Sequence, residues 1–194
     1  MTTIRKIAVR REREVKTYAE LWHTSYCLLK KGLENPEGST HQFRASLVFT
    51  AFTLEAALNH IGDKIFRCWN DLERLGPREK INLLGEKLAV DIDYGNRPWQ
   101  IIKELFGFRN KVGHGKTKKI NINPVVPFDQ YSFDEEYFAV LKSDWEKYCT
   151  KDNAEKARND VDDIIRILYK AGNFKDDYPF DFGHSSGGAS VIYH

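Results

Sequence analysis

The sequence predicts an all-α fold, a bundle of five or six helices with an extended loop after the fourth. Apolar residues recur at spacings of three, four and seven, the period at which one side of a helix can be buried. Asn35-Pro36-Glu37-Gly38, Gly76-Pro77 and Pro98 break these stretches where connections are needed. At 194 residues, with 41% apolar, 13% aromatic and 30% charged residues, the chain suits one domain with one core and excludes collagen-like and low-complexity classes.

Residues 12–34 read as the first helix, with Val15, Tyr18, Trp22, Leu29 and Leu33 on its apolar side. Ser39 and Gln42 offer a capping box for the second helix. That helix is the most apolar segment: Leu47, Ala51, Leu54, Leu58, Ile61 and Ile65 form a stripe, which Phe43, Val48, Phe52 and Ala56 widen nearly all round. Such a helix belongs at the centre of a bundle or in a dimer interface.

Ile81, Leu84 and Leu88 suggest a short third helix, and Asp91 to Asn96 a loop before Pro98 opens a fourth. The fourth helix carries Ile101, Leu105, Phe108 and Val112, and Gly113 and Gly115 are expected to end it by relieving left-handed strain, leaving His114 at its terminus. Residues 116–131, with Pro124, Pro127 and an Ile-Asn alternation, read as an extended loop. Ser132 and Glu135 form a capping box before Tyr137, Leu141, Trp145 and Tyr148, and Val161, Ile164, Ile165 and Leu168 mark a last helix. Residues 1–172 then form the helical domain. Residues 173–194 form an aromatic, Gly-containing tail that either packs on the bundle or stays mobile.

Charge supplies little on its own, because 30 Lys and Arg against 28 Asp and Glu leave a net charge of +2. The three cysteines, at 27, 68 and 149, form no C-x-x-C pair and fit reduced thiols better than a disulfide framework or structural zinc. No apolar run follows the basic N-terminus, and Leu47 to Leu54 is too short to span a bilayer, so a cytoplasmic protein without a membrane partner is expected.

Locally the charges are segregated. Residues 105–128 contain no Asp or Glu but carry Arg109, Lys111, Lys116, Lys118, Lys119 and His114, whereas residues 129–163 hold eleven acidic residues against five basic ones. The cationic run either attracts phosphate or pairs with the acids downstream. Gly113-His114-Gly115-Lys116-Thr117 imitates the end of a phosphate-binding P-loop, but Asn110 stands where the first glycine is required, and the run follows a helical pattern instead of a strand.

Arg109-Asn110-Lys111-Val112-Gly113-His114 places a histidine five positions after an arginine, with a polar residue directly behind the arginine. Together with its position at the end of an apolar helix and beside a more apolar partner helix, this R-x4-H pattern resembles the HEPN domain family. The resemblance runs from the second helix to Lys119; Lys116 stands where some catalytic members carry Tyr. It implies an HEPN-like bundle that cleaves RNA without metal or cofactor, as a homodimer in which both motifs face one cleft. It also implies a toxin or defence setting, with an antitoxin or regulatory protein as a further partner.

In that reading His114 assists attack of a ribose 2′-hydroxyl on the adjacent phosphate, because imidazole exchanges protons near neutral pH. Arg109 stabilises the phosphorane, Asn110 orients one or the other, and Lys111, Lys116, Lys118 and Lys119 hold the RNA backbone. Five helical residues turn through about 500°, so Arg109 and His114 diverge by roughly 140°. Unwinding at Gly113 or a partner chain must bring them together.

Structural roles compete with each assignment. Glu55, the one carboxylate inside the apolar stretch from Phe43 to Ile61, is expected to pair with Arg109, and Asn59 one turn later to join the same polar patch. His114 equally suits a helix C-terminal cap. The alternative function is a non-catalytic HEPN-like dimer that acts as a scaffold or partner-binding module.

Overall fold

The computed structural model describes residues 6–121, 141–174 and 178–192. Among them are seven helices and one two-stranded ribbon: β1 (Lys6–Arg13), α1 (Thr17–Glu34), α2 (Ser39–Ile65), α3 (Trp69–Leu72), α4 (Pro77–Leu88), α5 (Ile101–Gly113), α6 (Asp144–Tyr148), α7 (Lys151–Ala171) and β2 (Ser185–Ile192). The chain is mostly helical, as its periodicity predicts. No helix among the described residues is long and apolar enough to cross a membrane.

The broad apolar surface of α2 is accounted for within one chain. Leu47, Ala51, Leu54, Leu58 and Ile61 are fully buried, and α1, α4, α5 and α7 all pack on this central helix. Small residues let α1 approach closely: Ser25 Oγ lies 2.6 Å from Thr50 Oγ1, and Ser46 Oγ donates to the Ser25 carbonyl at 2.9 Å. These hydroxyls pair with one another, so the crossing stays polar without leaving buried donors unmet. Phe52 is the large apolar side chain of α2 that remains 40% exposed.

Several boundaries differ from expectation. The first helix starts at Thr17 because residues 6–13 are paired as β1 with β2, antiparallel from Lys6 opposite Ile192 to Arg13 opposite Ser185. Ser39 is the first residue of α2 instead of its cap; Gly38 takes the cap position with φ of 71°, a left-handed conformation suited to glycine. The fourth expected helix begins at Ile101, after a cis Arg97-Pro98 bond. Trp69 explains α3: its ring is buried against Gly62, where any Cβ would collide with the indole.

The capping box expected at Ser132 and Glu135 and the prolines at 124 and 127 lie outside the described residues. A capping box does open α6: Ser143 Oγ accepts from the Glu146 N–H at 3.4 Å, and Glu146 Oε2 accepts from the Ser143 N–H at 2.8 Å. In the C-terminal segment, Phe180 is buried and stacks on Trp22 with centroids 4.5 Å apart, so this aromatic packs on the bundle.

Candidate functional site

Helix α5 positions the motif by burying one side. Ile101, Ile102, Leu105, Phe106 and Phe108 enter the core, while Lys103, Gly107, Asn110 and Lys111 stay exposed on the opposite side. Arg109 falls at the boundary. Its Nη2 lies 2.5 Å from Glu55 Oε2, its Nη1 donates to Asn110 Oδ1 at 3.0 Å, and its guanidinium lies 5.5 Å from the Phe106 ring centre. Arg109 Nε is buried without a hydrogen-bond partner among the described residues, a donor left over in an otherwise engaged guanidinium.

The ion pair expected between Arg109 and Glu55 is therefore present, and Asn59 joins the patch through Lys80, a residue outside the motif. Lys80 is 2% exposed and donates from Nζ to Asn59 Oδ1 at 2.7 Å. Burial holds the Lys80 ammonium below its usual pKa, while the charges of Glu55 and Glu73 oppose that shift. The Glu55 carboxylate thus pairs with a cation on α5 and acts through space on one on α4. A signal for Lys80 was readable, since Lys80, Leu84 and Leu88 share one side of α4 and a lysine on an apolar stripe calls for a buried acceptor.

His114 is exposed at the C-cap of α5, where its N–H donates to the Asn110 carbonyl at 2.9 Å. The helix runs intact to Gly113, so unwinding does not bring His114 toward Arg109. Among the described residues, no hydrogen bond joins the two side chains. The reason for the helix end also differs from expectation. Neither Gly113 nor Gly115 has positive φ; a Cβ on Gly115 would instead lie 2.9 Å from the Lys111 carbonyl oxygen. Glycine is required there by close approach of the backbone to itself. Lys116, Lys118 and Lys119 follow in non-helical, exposed chain, so the cations expected to bind RNA lie on the surface next to the histidine.

Two clefts flank the exposed side of α5. One, of about 500 Å³, runs past Lys103, Gly107 and Lys111 to Trp145 and Tyr148; the other, of about 580 Å³, lies between Arg78, Tyr94, Phe106 and Asn110. Gly107 borders both, and nothing lies within 4 Å of the place where its Cβ would stand. Arg78 stacks 4.4 Å from the Tyr94 ring centre, and burial raises the Tyr94 phenol pKa against the opposing effect of that guanidinium. Loop residue Tyr94 carried no periodicity signal, which is why it was not singled out. No group of three or more His, Cys, Asp or Glu able to hold a metal occurs among the described residues. No protein-family model, curated protein or solved structure matches the chain.

Proposed function

We propose that this chain is a HEPN-type endoribonuclease that cleaves RNA without a metal or cofactor, as a homodimer, with Arg109, Asn110 and His114 at the reacting phosphate. The observation that carries this reading is the end of α5, where a half-buried, carboxylate-oriented arginine is followed by an exposed histidine and a run of exposed lysines. A guanidinium fixed by Glu55 loses little freedom when it meets a phosphate. An exposed imidazole at a helix end can reach a backbone that the lysines have drawn in.

The ribose 2′-oxygen attacks the adjacent phosphorus, its proton passes to one His114 imidazole, and the bond from phosphorus to the 5′-oxygen breaks. The leaving oxygen takes a proton from water, and the imidazolium returns its own proton to the hydroxide left behind. Products are a 2′,3′-cyclic phosphate and a 5′-hydroxyl. Arg109 balances the charge that builds on the nonbridging oxygens, and Asn110 orients the guanidinium or the phosphate. Pairing of two chains is supported by the divergence of Arg109 and His114 on an unbroken helix, and by exposed Phe52, three residues before Glu55. A toxin or defence role with a restraining protein partner belongs to the same proposal.

The second reading, a non-catalytic dimer that binds a partner protein, is favoured by the same ion pair, because Glu55 and Asn110 already occupy Arg109. Purified protein, RNA and EDTA separate the two when wild type is compared with Arg109→Ala and His114→Ala. Catalysis predicts cyclic-phosphate ends that vanish in both variants while melting of His114→Ala stays unchanged. Cleavage that persists equally in both variants belongs to a contaminating nuclease and removes the proposal.

A further inference from the structure

A separate cleft of about 280 Å³ lies between α1, α7 and the segment after residue 178, with Arg158 among its walls. Arg158 is 8% exposed, a burial rarely tolerated by a charge without a counter-ion. Its Nη1 donates to the Trp22 carbonyl at 3.0 Å and to Ser25 Oγ at 2.8 Å, and its guanidinium lies 3.6 Å from the Trp22 ring centre. Among the described residues no carboxylate lies within ion-pair distance; Asp162, one turn later, is engaged by Arg166 at 2.7 Å. Burial lowers the Arg158 pKa to about 10, with the charge of Asp162 opposing the shift.

Two hydrogen bonds from Nη1 leave the Nε and Nη2 edge without an acceptor among the described residues. That edge is the fork that grips two oxygens of a carboxylate or phosphate at once. The same cleft is walled by rings with open surface: Tyr26 is 48%, Tyr178 53% and Phe182 43% exposed. Exposed aromatic side chains gathered beside a buried cation favour a flat ring attached to the anion. The cleft's volume, at the small end for ligand sites, suits a molecule of mononucleotide size or less and not a polymer strand.

We infer that this cleft binds a small ring-bearing oxyanion, its phosphate or carboxylate held by the outer edge of Arg158 and its ring laid against Tyr26, Tyr178 and Phe182. The site stands apart from α5 and does not depend on the ribonuclease reading. It brings to Arg158 an anionic partner that no described residue supplies at ion-pair distance.

Calorimetric titration of the full-length protein tests this with four probes: AMP, adenosine, benzoate and inorganic phosphate. AMP or benzoate is expected to bind with a dissociation constant below about 1 mM, and the stronger of the two identifies phosphate or carboxylate as the anion. Adenosine and inorganic phosphate are each expected to bind about tenfold more weakly than the probe that joins ring to anion. Phe182→Ala, on the exposed wall, leaves the fold intact and weakens binding several-fold; Arg158→Lys keeps the charge and loses the two-oxygen grip. No saturable binding of AMP or benzoate, adenosine binding as tightly as the stronger of those two, or an affinity unchanged in Phe182→Ala overturns the inference.

Discussion

Glu55 Oε2 lies 2.5 Å from Arg109 Nη2, and the same carboxylate acts through space on the buried Lys80 ammonium. One negative charge from α2 therefore serves cations on α5 and α4. The arrangement is asymmetric. Loss of Arg109 leaves Glu55 its interaction with Lys80, whereas loss of Glu55 leaves Arg109 without its carboxylate and removes one of the two charges that oppose the desolvation of Lys80, which is 2% exposed. Glu55→Gln is accordingly expected to cost about 1.5–3 kcal/mol, the range for hydrogen bonds to charged groups, and Arg109→Gln less. Urea denaturation of both variants checks the order, and a larger loss in Arg109→Gln contradicts it.

His114 behaves differently, because it is exposed and its contact in the chain runs through its backbone N–H. His114→Ala should shift stability by no more than about 0.5 kcal/mol, as surface substitutions generally do. Cleavage, if the imidazole transfers protons, falls at least about a hundredfold. Destabilisation without loss of cleavage would give His114 a capping role alone.

An unbroken α5 makes a more specific demand. With Arg109 and His114 roughly 140° apart on a regular helix, the arginine and the histidine that meet one phosphate come from different copies. Mixing Arg109→Ala and His114→Ala chains, each inactive alone, should therefore restore part of the cleavage in the mixed dimers. Were both groups of one chain sufficient, mixing would restore nothing.

Much of this was legible in the sequence, and the exceptions have physical causes. The period of α2, the stripe of α7 and the pairing of Glu55 with Arg109 follow from where apolar residues recur and from the cost of a carboxylate in an apolar stretch. The β1–β2 ribbon was not legible: it joins residues about as far apart in the chain as any, and Gly187 and Gly188 in β2 interrupt any alternation. Arg158 was hidden differently. Its burial arises from Trp22 on α1 and the segment after residue 178, neither adjacent to it in sequence. Tyr94 enters a cleft only because its loop folds back over Arg78 and Asn82, where its hydroxyl donates to Asn82 Oδ1 at 2.6 Å.

The contact between Gly62 and Trp69 sets the turn from α2 into α3. A methyl at Gly62 would enter the space of the indole, which is 2% exposed and has no room to withdraw. Gly62→Ala is expected to destabilise the protein by about 1–3 kcal/mol, the usual cost of overpacking. The pair is far from His114 in sequence, so cleavage per folded molecule should not change. Thermal melting and activity measured on the same preparation separate these effects.

Acid should loosen the wall of the α5 cleft that α6 supplies. The Glu146 carboxylate accepts from the Ser143 hydroxyl at 2.6 Å and from its backbone N–H, and these bonds hold its pKa below the ordinary value of 4.5. A depressed carboxylate pKa stabilises the fold above the unfolded value, and that stabilisation disappears as pH falls through the folded value. Wild type should therefore exceed Glu146→Gln in stability by a constant margin above pH 4.5, with the margin shrinking steadily on further acidification. Denaturation of both proteins between neutral pH and acid provides the comparison, and a margin that grows on acidification would mean that Glu146 is held in its protonated form.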